Sequence, residues 1–218
     1  MIRNLVRGTA LGFALTLPLF SSAATAQIAV SANDNKIALV DGQNTVPANP
    51  PPDTVTVLDI GVSPPKVLGE LQVPSSVVGV PQSVAVSKDE SFAIVTSAMK
   101  VDPADPKKTA PDDRVSVIDL KANPPAVTQT LQAGAGVTGV SISPSGTLAL
   151  TANRNDGSVS IFTISGKTLT AAGKLDLGNK NSGPSHGAYC DSRKTCHSSF
   201  FIPGAGKEYE YESKERPD

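Results

Sequence analysis

Apolar and polar residues alternate in short runs along most of the chain, and the runs recur in sets. "TVTVLDI" (Thr54 to Ile60), "RVSVIDL" (Arg114 to Leu120) and "SVSIFTI" (Ser158 to Ile164) share one β-branched alternation. A period of two puts every second side chain on one face, so each run predicts a strand with one buried side. Upstream of these runs stand "AVSANDNKIALV" (Ala29 to Val40), "AVSKDESFAIVT" (Ala85 to Thr96) and "SISPSGTLALT" (Ser141 to Thr151), equally spaced. Each reads as a strand, a polar turn of Asn, Asp, Ser and Gly type, and a second strand. Downstream, the turns "GVSPPKV", "KANPPAV" and "SGKTLTA" lead into weaker fourth runs, "LGELQV", "TQTLQA" and "AGKLDLG". Four short antiparallel strands in a unit of roughly 45 to 60 residues is the sequence form of a β-propeller blade. The pattern therefore predicts an all-β propeller segment of three complete four-stranded blades plus the start of a fourth. The blades cover about 28–80, 81–137 and 138–182, with the next beginning at 183. No 3.6-residue apolar period persists across these blades, so almost no helix is expected there.

If the strands run from inner to outer in chain order, the second-to-third loops and the blade-to-blade loops emerge on one face. The second-to-third loop is long and proline-rich in the first two copies, "DGQNTVPANPPPD" and "MKVDPADPKKTAPDD", and short in the third, "NRNDG". The long inserts are then decorations on that face. They read either as binding loops or as solvated loops stiffened by proline.

The first 26 residues break the pattern. Arg3 and Arg7 precede the apolar run "ALGFALTLPLF", and "SSAATA" supplies small residues ending at Ala26. This order predicts a secretory signal peptide (1–26) cleaved between Ala26 and Gln27, with a periplasmic or secreted product. The apolar run is short and interrupted by Gly12 and Pro18, so no membrane association is expected after cleavage. The formal net charge of −1 becomes more acidic once the two leader arginines are gone, which excludes a basic nucleic-acid stripe.

Two further stretches carry a resemblance. "LALTANRNDGSVSIFTI" and "SGPSH" resemble the blade motifs of the lactonase-like seven-bladed β-propeller family, whose relatives carry YVTN-type repeats. The likeness covers about residues 28 to 190. It implies metal-free lactone ring opening or closing, or binding of a related small acid, at the mouth of a central channel. Carried onto this chain, Asn153 and His186 match family positions. Ser185 stands where the family motif often has arginine, and Arg154 where it often has tyrosine. His186 is the candidate catalytic residue, a general acid or base or a substrate hydrogen bond, its alternative being a loop histidine capping backbone groups. Asn153, Arg154 and Ser185 are the candidate ligand-binding residues. For Asn153 the "NDG" turn offers a plainer role, since Asp-Gly supplies the positive φ of a tight hairpin. The alternative function is a non-enzymatic binding or scaffold propeller that presents its proline-rich loops to a protein or polysaccharide.

Cys190 and Cys196 are the only cysteines, and in an oxidising compartment they are candidates for a disulfide. Together with His197 and His186 they match no zinc-ligand spacing, so neither a metal nor a cofactor is expected. Beyond His186 the repeat stops. Residues 187–218 show no alternation, and eight of the last twelve are charged, which predicts a disordered tail. Two expectations follow for a stack of three blades. Either the chain is the first part of a larger propeller cut short near residues 187–200, or it is a small protein that closes as a homodimer.

Overall fold

The computed structural model describes residues 27–76 and 82–187. The expected signal peptide, the expected tail after Gly187 and both cysteines lie outside the described residues. Within them the fold is all-β, and the one helical piece is a short 3-10 turn at Lys180–Ser182. Fifteen strands build three blade-like antiparallel sheets and two small hairpins.

The third blade shows the unit most simply. Strands β12 (Val137–Ile142), β13 (Leu148–Asn153), β14 (Ser158–Ser165) and β15 (Thr168–Asp176) pair in chain order. The second blade repeats this with β6 (Val84–Val86), β7 (Phe92–Thr96), β10 (Arg114–Asp119) and β11 (Ala126–Gln132). Its proline-rich insert adds a hairpin of β8 (Met99–Val101) and β9 (Thr109–Pro111).

The first blade departs from the expected alignment. Strand β1 (Ile28–Asn33) does not pair with Ala38–Val40; it pairs directly with β4 (Thr54–Asp59), in full register from Ile28↔Asp59 to Asn33↔Thr54. That register matches Leu148↔Thr163 to Asn153↔Ser158 in blade three. "IAVSAN" is thus the counterpart of "LALTAN", a second strand and not a first. The segment read as a second strand instead forms β2 (Ala38–Val40), folded onto β3 (Gln43–Thr45). Asp41 and Gly42 between them have φ 48° and 75°, the left-handed pair that a two-residue hairpin turn requires. A three-residue exposed strand closed by its own turn cannot compete with a six-residue ladder. Blade one therefore has three sheet strands among the described residues, in the order β1-β4-β5, with β5 at Lys66–Gln72.

The period-two alternation sets the packing. Val55 and Val57 of β4 are fully buried with Ala93, Val95 and Ile118, and this cluster joins blades one and two. Ile94, Val115 and Val117 form the equivalent layer with Val137, Ala149 and Phe162 of blade three. Each third strand has a register shift against the fourth at one equivalent place: Val57/Leu58, Val117/Ile118 and Ile161/Phe162. Such bulges increase local twist, and their repetition gives the three sheets a common shape.

Candidate functional site

The loops between second and third strands and those between blades lie on one face, as hydrogen bonds between them show. Arg154 and Asn155 donate their backbone N–H groups to Gly136 and Ala135, and Gly136 donates to Asp112. At the blade-one end of this face, Lys36 is buried in the proline-rich insert. Its Nζ lies 3.0 Å from Asp34 Oδ1 and 2.9 Å from Asp53 Oδ2, and it donates to the Ser75 carbonyl. Ser97 Oγ donates to the same carbonyl. Asp112 follows, held by Arg114 through contacts of 3.0, 2.9 and 2.6 Å. Burial raises the Asp112 pKa, and hydrogen bonds from Arg114 and Ser97 more than offset it, leaving the carboxyl below its ordinary value. These groups are saturated with partners. They tie the inserts to the blade junctions and offer little to a ligand.

Asn153 belongs with them. It is fully buried at the end of β13, and its Nδ2 donates to Ser158 Oγ and Ser160 Oγ, both at 2.9 Å. Asn33 makes the same fork to Thr54 and Thr56 at 3.1 Å. The turn after Asn153 closes with Gly157 at φ 63°, where an added Cβ would stand 2.2 Å from the Asn179 carbonyl oxygen. Asn153 thus joins the second and third strands of its blade, and Gly157 explains the "NDG" sequence. Arg154, the next residue, is half-buried and makes no ion pair among the described residues.

His186 and Ser185 sit apart from this network, at the inner edge of blade three. The segment from Gly183 runs beside β12. Thr138 Oγ1 donates to the Pro184 carbonyl at 3.4 Å, and Ser141 Oγ donates to the Gly187 carbonyl at 2.6 Å. Gly139 permits the approach: a Cβ there would meet the Ser185 carbonyl oxygen at 2.3 Å. On the other side of the same strand, Val140 donates its N–H to the Gln82 carbonyl at 3.0 Å. Among the described residues, four buried side-chain polar atoms have no hydrogen-bond partner: Gln82 Oε1, Ser182 Oγ, Ser185 Oγ and His186 Nδ1. Buried polar atoms are rarely left unpaired, and each one costs about 1–3 kcal/mol. Burial also lowers the His186 pKa below its ordinary 6.5, so the ring is neutral at pH 7.

Of the residues singled out by sequence, Ser185 and His186 fall together on the inner edge. Asn153 is a strand-to-strand tie with Arg154 beside it on the loop face. Gln82 and Ser182 were missed. Gln82 stands at the start of blade two at a position equivalent to Thr138, a signal that the repeat contains but residue type alone does not raise. Among the described residues no three His, Cys, Asp or Glu side chains gather as a metal site, and no helix is long and apolar enough to cross a membrane.

No protein-family model and no curated protein matches the sequence. Solved structures similar in part include hydrazine synthase of Kuenenia stuttgartiensis, at 22 % identity over 61 % of this chain and 32 % of that one, TM-score 0.44. The periplasmic gluconolactonase of Pseudomonas aeruginosa is 19 % identical over 69 % of this chain and 39 % of its own, TM-score 0.43. A Bacteroides uniformis protein described as a 6-phosphogluconolactonase is 17 % identical over 56 % of this chain and 36 % of its own, TM-score 0.40. This chain thus spans well under half the length of each, and the likeness carries no chemistry.

Proposed function

We propose that this chain is an exported, lactonase-like propeller protein that takes a lactone or related small hydroxy acid at the inner edge of its blades. The observation that carries this reading is the adjacent pair Ser185 and His186 on the inner edge, whose buried Oγ and Nδ1 have no hydrogen-bond partner among the described residues; Gln82 Oε1 and Ser182 Oγ share that state. Hydroxyl and carbonyl groups of a small ligand are the chemistry that would satisfy them. A neutral His186 suits a general base. It would take a proton from a water molecule as the water oxygen bonds to the lactone carbonyl carbon, then return it to the ring oxygen as the ring C–O bond breaks. Incubating the mature protein with γ- and δ-lactones and following acid release tests this. Turnover lost in His186→Ala, with an unchanged melting temperature, is the expected result. No turnover and no binding across the panel would sink the reading.

Export has its own support. Gln27 N donates to Glu90 Oε1 at 2.7 Å, so cleavage after Ala26 would seat the new α-ammonium on a carboxylate. A scaffold reading draws on the β2–β3 hairpin, where Leu39 and Val40 are exposed on the proline-rich insert. Retention of a protein or polysaccharide partner that is lost in Leu39→Lys would favour it.

A further inference from the structure

We infer that two copies of this chain close head to tail, each supplying the innermost strand of the other's first blade. Three observations meet here. First, β1 occupies the second-strand position, and among the described residues no strand pairs with its inner edge, where β6 and β12 cover the equivalent edges of β7 and β13. Second, the segment from Gly183 lies beside β12 as β12 lies beside β6, so it stands in a first-strand position with no second strand of its own among the described residues.

Third, among the described residues both outer blade faces leave exposed the counterparts of side chains that are buried between blades. Register makes Leu148 and Leu175 of blade three the counterparts of Phe92 and Leu131 of blade two. Phe92 is 4 % exposed against blade three, whereas Leu148 is 36 % and Leu175 39 % exposed. At the other end Ile60 is 45 % exposed, and its counterpart Leu120 is 5 % exposed against blade one. A second copy presents both missing halves at once. The outward face of its blade three meets blade one, and its Gly183 segment meets β1. Two copies of three blades make a ring of six, within the closing range of propellers.

The repeat also fixes the register. Val140↔Thr151 in blade three translates to His186↔Ser31 across the copies, with Gly183 at φ 58° as the turn that leads into this strand position. His186 would then stand opposite a strand of the partner, so the candidate site is complete only in the dimer. The inference holds whatever molecule that site takes, and its test needs no ligand.

The test uses the mature chain in a Cys190→Ser, Cys196→Ser background. Light scattering on a sizing column should return the mass of two chains. Ser31→Cys and His186→Cys, made in separate chains and mixed under oxidation, should give a covalent dimer that neither gives alone. Ile60→Lys should convert the dimer to monomer and keeps the inference open to refutation should the cysteine variants fail to fold. A monomeric mass, a mass unchanged in Ile60→Lys, or a dimer without the mixed cross-link in folded chains would each overturn it.

Discussion

At the residue scale, the same side chain type serves different ends according to what surrounds it. Asn153 and His186 both match positions of one resemblance, yet Asn153 spends its amide on two serine hydroxyls while His186 Nδ1 has no hydrogen-bond partner among the described residues. Asn153→Ala should therefore cost about 1–3 kcal/mol, because it strands Ser158 and Ser160 in a buried position. Asn33→Ala should cost less, since its threonine partners are part-exposed. Urea denaturation of the two variants checks the order. His186 predicts a pH dependence. Its folded pKa lies below the unfolded value, so the unfolded chain binds the extra proton. Stability should be full above about pH 6.5 and decline below it until the folded pKa is passed. Melting temperatures measured from pH 7.5 to 5 should fall in the wild type and flatten in His186→Gln. Asp112 adds a lower limb: its depressed pKa contributes stability above its ordinary 3.8 that is lost as pH falls through the folded value.

At the element scale, one glycine holds the candidate site in place and one lysine fastens the first insert. Gly139 lets the Gly183 segment approach β12. Gly139→Ala puts a methyl 2.3 Å from the Ser185 carbonyl oxygen and 3.0 Å from His186 Cα, both backbone atoms that cannot swing aside. It should destabilise by about 1–3 kcal/mol and displace Ser185 and His186, with the β12–β13 ladder retained. Amide exchange read by NMR would show loss of protection confined to the segment after Ser182. Lys36 is the second tie. Lys36→Met leaves Asp34 and Asp53 buried without their cation, a change worth about 3–5 kcal/mol. Loss of stability well under 1 kcal/mol on denaturation would show that the insert is not fastened by this group.

The strands themselves were legible because β-branched alternation and turn chemistry agree in β4, β10 and β14. The order of strands in blade one was not. "AVSANDNKIALV" aligns with its neighbours equally well one strand early, and only the ladder from Ile28 to Asn33 decides the matter. His186 and Ser185 were visible through the resemblance of "SGPSH". Gln82 and Ser182 were not, because their importance lies in partners they lack, which no local pattern reports.

At the scale of the whole molecule, the structure is a run of blades joined by two apolar layers and one polar face. The layers follow directly from period-two alternation, and the face follows from where the second-to-third loops emerge. Among the described residues the interior edge is the exception, where buried Ser185 Oγ and His186 Nδ1 have no hydrogen-bond partner. Sequences tend to break rules of polar satisfaction at functional positions. NMR of the mature protein, with the imidazole of His186 and the amides of 182–187 assigned, tests this most directly by titration with a δ-lactone and with its ring-opened acid. The account predicts saturable shifts at His186 and Ser185, absent in Gly139→Ala. Shifts confined to the β2–β3 hairpin, or none at any residue, would contradict it.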